Sequence, residues 1–226
     1  KQRWFPKLVT GEWLGAYCLS EAFSGSDAAA LRCEAKRDGD HYVLNGAKLW
    51  ITTGNEADLF VVFVRTGEDR VKGISAIVAE GSLPGVSVGK KERKLGLKGS
   101  STTEIVFEDA RVPADCLLGE EGEGFKIALD TLDGGRLGIA SQALGIARAS
   151  VDLIRDHLGQ QKDHKGRPNA SQPDQWQMAD LAADLDAYRM LTWRAAVMRD
   201  RGERCGTESA MAKSCTARLA NRAARS

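Results

Sequence analysis

The stretch Pro113-Ala-Asp-Cys-Leu-Leu-Gly-Glu-Glu-Gly-Glu-Gly-Phe125 is where the sequence changes period. Before it, from Trp13 to about Val112, short β-branched and aromatic runs alternate with glycine turn signals. After Gly119, apolar residues recur every three to four positions, the period of a helix. The chain therefore reads as α+β, an antiparallel β-sandwich or barrel domain over 1–118 followed by part of a helical bundle over 119–226.

N-terminal to the change, Arg32–Arg37, Gly39-Asp40 and His41–Asn45 read as a hairpin turning on Asp-Gly-Asp. Leu59–Val64 and Ile74–Ala79 have the character of buried strands, and Glu104–Glu108 continues the type until Pro113 ends it. The recurrent turns fit an antiparallel architecture rather than βαβ units. C-terminal to the change, Phe125, Leu129, Leu132, Arg136, Ala140, Leu144, Ala147, Val151, Ile154 and Leu158 trace one stripe of a long helix. Small residues crowd its middle (Gly138, Ala140, Ser141, Ala143, Gly145, Ala147), as close helix contacts require. Gly134-Gly135 costs it about 1 kcal/mol per glycine relative to alanine. After a polar loop over Gln160–Ser171, a second helix is expected from Pro173 to about Arg201, capped by Ser171 or Gln172. Its stripe is Trp176, Leu181, Leu185, Tyr188, Leu191, Ala195 and Met198. A third begins with Thr207 as N-cap, carries Met211, Cys215, Leu219 and Arg222, and meets no stop signal before Ser226. The chain starts at Lys1 rather than Met, so it reads as cut at both ends.

Composition narrows the function classes. Lys+Arg number 32 against 31 Asp+Glu, a net charge of +1, so no global charge favours nucleic acid or an anionic membrane. The longest apolar run, Leu59–Val64, is too short to cross a bilayer, and no secretory signal opens the chain. Cys18, Cys33, Cys116, Cys205 and Cys215 are odd in number and lack CxxC spacing, which argues against zinc ribbons and disulfide frameworks and for a reduced compartment. With only His41, His157 and His164 to add, a metal centre is not expected.

Six segments in fixed order carry a resemblance. They are Tyr17-Cys-Leu-Ser-Glu-Ala-Phe-Ser-Gly-Ser-Asp27, Asn45-Gly-Ala-Lys-Leu-Trp-Ile-Thr52, Lys94-Leu-Gly-Leu-Lys-Gly-Ser-Ser-Thr102, Asp109-Ala-Arg-Val-Pro113, Leu118–Phe125 and Asp133-Gly-Gly-Arg-Leu-Gly-Ile-Ala140. Together they resemble the acyl-CoA dehydrogenase flavoenzymes, nearest to the short- or branched-chain members, over nearly the whole chain. The resemblance implies a middle β domain and the first part of an up-down four-helix domain. It also implies α,β-desaturation of an acyl-CoA thioester, in which a carboxylate takes the α-proton and the β-hydrogen leaves as hydride to FAD. As enolate charge develops, the thioester oxygen must be hydrogen-bonded.

By the same resemblance, Tyr17, Leu19, Ser20, Gly25 and Ser26 line the flavin and its pyrophosphate, Ser26 also meeting the CoA. Trp50, Ile51 and Thr52 pack and hydrogen-bond against the ring system, and Gln172 adds a further flavin contact. Asp133 and Arg136 reach the CoA portion. Read without the resemblance, Gly-Ser-Asp is ordinary turn chemistry, Trp50 is a core residue of a strand and Asp133/Arg136 a surface ion pair. His157, His164 and the cysteines are read as structural or solvated, Lys90–Lys94 as a solvated turn, and Glu123 as a helix-N-terminal carboxylate. The implied partners are acyl-CoA, an electron-transfer flavoprotein and further copies of the chain in a tetramer, with neither nucleic acid nor membrane insertion. The implied location is the bacterial cytoplasm or the mitochondrial matrix.

Two departures from the family pattern stand out. Where most members carry Arg-x-x-Phe-Gly, this sequence has Gln161-Lys-Asp-His-Lys165, leaving Lys162 or Arg167 as candidate cations for a flavin pyrophosphate across a subunit interface. The usual catalytic Glu is expected beyond Ser226, and the alternative base position matches Gly135, so no catalytic base is assigned and the chain by itself is expected to be inactive. The alternatives are an acyl-CoA oxidase or nitroalkane-oxidase type of flavoenzyme, and a catalytically dead homologue acting as a binding scaffold.

Overall fold

A computed structural model describes residues 2–167 and 169–226. It divides into two compact units, Lys1–Leu129 and Asp130–Ser226.

The first unit is an eight-stranded sheet with a short helix, α1 (Phe5–Thr10), at its start. Its strands are β1 (Gly15–Cys18), β2 (Glu34–Asp38), β3 (His41–Thr52), β4 (Leu59–Arg65), β5 (Ile74–Glu80), β6 (Val86–Lys91), β7 (Thr102–Pro113) and β8 (Leu117–Leu118). They run in the order β6-β7-β3-β2-β4-β5-β8, with β1 also paired to β4. The β2–β3 hairpin turns on Gly39-Asp40, and Gly39 takes the left-handed conformation (φ 62°) that a two-residue turn asks of its first residue. The α+β reading holds, but the sheet is mixed. β1 lies parallel to β4, and Glu34 of β2 pairs with Arg65 of β4 in the same sense. β6 runs through Lys90 and Lys91, so the first part of the expected turn is an exposed strand. The unit's core is built from alternate residues of these strands, among them Tyr42, Leu44, Phe60, Val62, Ile77, Ile105 and Phe107.

The second unit holds most of α2 (Gly124–Gln160) with α3 (Gln172–Asp200) and α4 (Gly206–Ala223). Ser171 caps α3 by accepting from Asp174 N. Ala143, Ala147, Val151, Leu181, Leu185, Leu219, Ala220 and Ala223 form its core. Three details differ from the sequence reading. Trp176, expected in the α3 stripe, is 62% exposed. The α4 N-cap position is Cys205 rather than Thr207, and its buried face is Ser209, Ala212, Thr216, Leu219 and Ala223, leaving Met211 and Arg222 outside. Gly138 and Gly145 have open space where a Cβ would stand, so the described helices do not need them to be small. One stretch of α2 is long and apolar enough to cross a membrane by length and composition alone, although glycine, serine and polar residues break it into runs shorter than Leu59–Val64.

The compact units part at 129/130, inside α2, while the period of the sequence changes at 118/119. The reason is that the first turn of α2 packs on the sheet. Gly122 N donates to Ser75 Oγ (2.9 Å), Tyr17 Oη donates to Ala128 O (3.3 Å), and Ala128 is fully buried. A Cβ at Gly124 would stand 2.6 Å from Ser75 Cα, a contact with backbone that no rotamer change can relieve. We therefore expect Gly124→Ala to lower stability by about 1–3 kcal/mol, as overpacking does, although alanine has the better helix propensity. Chemical denaturation would check this; an unchanged or raised midpoint would show that the helix start can move off β5.

Candidate functional site

Residues 19–33 are shaped by a buried ion pair. On β3, Tyr42, Leu44 and Lys48 share the inward face, and Lys48 is fully buried. Its ammonium donates to Glu21 Oε1 at 2.6 Å and to Leu19 O at 3.2 Å. Glu21, 8% exposed, also accepts from Cys33 N (3.0 Å) and, through Oε2, from Arg32 N (2.7 Å). One carboxylate thus joins β3 to both ends of the 19–33 segment. Glu21 and Ser24 exchange backbone hydrogen bonds (2.9 and 3.1 Å), and Ser24 Oγ donates to Asp27 O (2.9 Å), closing a compact turn. Gly25 and Ser26 ride on that turn, exposed.

Beside it runs the end of β3. Leu49 N donates to Ser20 O at 2.8 Å, which sets Leu19-Ser20 against the 48–52 stretch. The β3–β7 register shifts between Lys48 and Ile51, and within this bulge Trp50 adopts φ 57°. Trp50 is consequently 59% exposed, which removes the core reading of this residue, while Ile51 turns inward and Thr52 outward. Tyr17 is half-buried on β1, its ring 4.9 Å from that of Phe63, and burial pushes its hydroxyl up to about 12, so it stays protonated near neutrality. Among the described residues the hydroxyls of Ser20, Ser26 and Thr52 have no hydrogen-bond partner. The first unit therefore sets Leu19-Ser20 against the 48–52 stretch, where Trp50 and Thr52 face outward and Ile51 inward, and the exposed Gly25-Ser26 turn follows in the same anchored segment.

In the second unit, Asp133 and Arg136 form an ion pair one helical turn apart on α2. The room expected beside them is half taken: a Cβ at Gly134 would stand 3.0 Å from the Arg199 guanidinium, while Gly135 faces open space. Gln172 is exposed at the first turn of α3, with no described contact to Asp133 or Arg136. In the departing loop, Arg167 donates to Asp163 at 2.8 Å through Nε, and Asp163 also accepts from Lys165 N and Arg167 N. Hydrogen bonds from Arg167 and from the loop backbone hold the Asp163 carboxyl below its usual range. Lys162 is exposed and makes no described ion pair. Glu123 precedes α2 and accepts from Glu120 N, as its helix-N-terminal position suggests.

The Lys48–Glu21 pair is what the sequence reading missed. A signal existed: Lys48 has the parity of Tyr42 and Leu44, so a regular strand directs it inward. All five cysteines are free; burial pushes the Cys33 and Cys116 thiols up to about 11 and raises Cys18 as well, consistent with inert core thiols. No group of three or more His, Cys, Asp or Glu that could hold a metal occurs among the described residues.

Residues 16–110 match the sequence profile of the acyl-CoA dehydrogenase middle domain, and residues 122–226 that of the acyl-CoA dehydrogenase C-terminal domain. The chain belongs to the acyl-CoA dehydrogenase family. It is similar to an acyl-CoA dehydrogenase of Bacillus subtilis (46% identical, 99% of this chain, 59% of the relative). It is likewise similar to the mitochondrial short-chain specific acyl-CoA dehydrogenase of Mus musculus (47% identical, 94% of this chain, 52% of the relative). The solved structure of butyryl-CoA dehydrogenase from Megasphaera elsdenii superposes with a TM-score of 0.93 at 39% identity, over 99% of this chain and 59% of that one. The chain thus spans between half and three-fifths of the length of these family members.

Because Trp50 lies outside the core, Trp50→Ala should change the folding stability of the protein without cofactor by no more than about 1 kcal/mol. A buried tryptophan cut to alanine loses about 3–5 kcal/mol, so thermal unfolding separates the two placements.

Proposed function

We propose that this chain supplies the flavin- and substrate-facing part of an FAD-dependent acyl-CoA dehydrogenase that desaturates short acyl-CoA thioesters between Cα and Cβ. The observation that carries the reading is the Trp50 bulge. A large aromatic ring is held out of the core at a fixed backbone position, beside unpartnered hydroxyls on Ser20 and Thr52 and an open turn at Gly25-Ser26. That combination of flat apolar surface, hydrogen-bonding groups and backbone left uncovered fits an isoalloxazine with its pyrophosphate. Trp50 packs against the ring and Ile51, whose side chain is buried, meets it through its backbone; Ser20 and Thr52 donate to its polar edge, Tyr17 and Leu19 close the apolar side, and Gly25 and Ser26 meet the pyrophosphate. Bound flavin supplies the two-electron acceptor.

Ser26, Asp133 and Arg136 are assigned to the CoA portion, and Gln172 to the flavin. The proton acceptor is assigned to the Glu that the resemblance puts after Ser226, since Gly135 has no titratable group. Electron-transfer flavoprotein is the proposed acceptor. Assembly into a homo-oligomer is supported by Ile139, Ile146 and Leu153, which recur every seven residues on α2 and are all exposed in the single chain.

Expression of the complete gene provides the test. The purified protein should carry FAD and reduce a dye acceptor with butyryl-CoA, and Trp50→Ala should weaken FAD binding by about tenfold while remaining folded. A folded protein with no affinity for FAD would support the scaffold reading instead, and efficient turnover with oxygen alone would favour the oxidase reading.

A further inference from the structure

Two arginines border the Glu21–Asp27 turn and have no part in the site as described. The Arg32 guanidinium lies 5.4 Å from the Phe23 ring centroid, and Arg70 donates to the Asp27 carboxylate at 2.6 Å. In sequence Phe23 and Asp27 flank Gly25-Ser26, so each of the two arginines is tethered to a residue that adjoins the exposed turn. Phe23 is 79% exposed; its ring adds nothing to the core, but it orients Arg32.

Arg70 is positioned by its backbone as well. Arg65 donates to Asp69 O (2.7 Å) on the loop that carries Arg70, and also to Ala29 O (2.8 Å) and Leu31 O (3.1 Å) just after the turn. Asp69 fixes the same loop by accepting from Val71 N (2.8 Å) and Lys72 N (2.6 Å). Both segments therefore hang on one guanidinium. Arg70 directs a single terminal nitrogen at Asp27, and Arg32 makes no ion pair among the described residues, so both retain N–H donors. In the turn that joins the two tethering residues, the Ser26 hydroxyl has no partner among the described residues and Gly25 has open space.

We propose that Arg32 and Arg70 clamp a pyrophosphate diester over Gly25-Ser26. The identity of its bearer rests on the proposed function: FAD and CoA both contain this group, and its two negative charges match two guanidiniums. Asp27 is then a competitor for Arg70, and its charge opposes the incoming anion.

The test compares the complete wild-type protein with Arg70→Ala, Arg32→Ala/Arg70→Ala, Arg70→Lys and Asp27→Asn, each first checked for folding by thermal unfolding. FAD is titrated into apoprotein, CoA into FAD-loaded protein, and inorganic pyrophosphate into apoprotein, at low and high salt. Affinity for the bearer and for inorganic pyrophosphate should fall about tenfold in Arg70→Ala and further in the double variant, with a smaller difference at high salt. Arg70→Lys should keep most of it, and Asp27→Asn should bind at least as tightly as wild type. The probe that responds, FAD or CoA, identifies the bearer. Pyrophosphate binding that depends on the arginines, in a protein that binds neither FAD nor CoA, would uphold the clamp while refuting the proposed function. Wild-type affinity of the double variant for all three probes would overturn the clamp. So would an Asp27→Asn loss equal to that of Arg70→Ala, which would reduce the Asp27–Arg70 pair to a staple.

Discussion

The charge pair between Lys48 and Glu21 is the constraint on which the first unit's exposed face depends. An ammonium taken fully out of water loses several kcal/mol of hydration, and so does the carboxylate that meets it. Neither is tolerable alone. Together they work because each is hydrogen-bonded further: Lys48 reaches Leu19 O as well as Glu21, and Glu21 accepts two backbone N–H groups besides. Those N–H groups, on Arg32 and Cys33, would otherwise be costly orphans at the start of β2. The pair also fixes geometry, because a hydrogen-bonded charge pair of this kind admits little sliding.

What it fixes is the position of a polar turn relative to a strand end. With Glu21 anchored, the Ser24–Asp27 turn projects outward, and Leu49 N finds Ser20 O. Two positions after Lys48, the β3–β7 bulge rotates Trp50 out of the sheet. The cost of a left-handed tryptophan is of the order of 1–2 kcal/mol, a strain that persists only where the surroundings over-determine it. Lys48 inside and Ile51 inside bracket the bulge and supply that determination. An aromatic surface and the hydroxyl-bearing Ser20 and Thr52 are thus held in place by groups that a ligand on that surface need not touch.

Much of this was legible beforehand. The change to a helical period after Gly119, the Gly39-Asp40 hairpin, the strands at Leu59 and Ile74 and the Ser171 cap follow from local chemistry, and the structure bears them out. β1 was not legible: four residues joined in parallel to β4 leave no alternation long enough to read. The α4 stripe holds at Leu219, but hydrophobicity favours Met211 and Cys215 over their neighbours. The helix buries Ala212 and Thr216 instead, and the Thr216 hydroxyl donates to Ala212 O, so its burial leaves no unpaired donor. The core placement of Trp50 fails for a different reason. Strand tryptophans belong inside by propensity, and only the bulge, a property of pairing with β7, turns this one out. Of the candidate site, the six ordered motifs indicated the residues, whereas the ion pair beneath them required reading the parity of β3 past its glycine.

The most direct test of this account is a double-mutant cycle on Lys48→Met and Glu21→Gln, measured by denaturant unfolding. Each single variant leaves one charge, or one demanding set of donors, buried without its partner. Each should therefore lose about 3–5 kcal/mol, and the double variant should recover a large part of the sum, with a coupling above about 1 kcal/mol. Single losses below about 1 kcal/mol that simply add in the double variant would contradict the account, and would mean that the sheet holds the 19–33 segment without the pair.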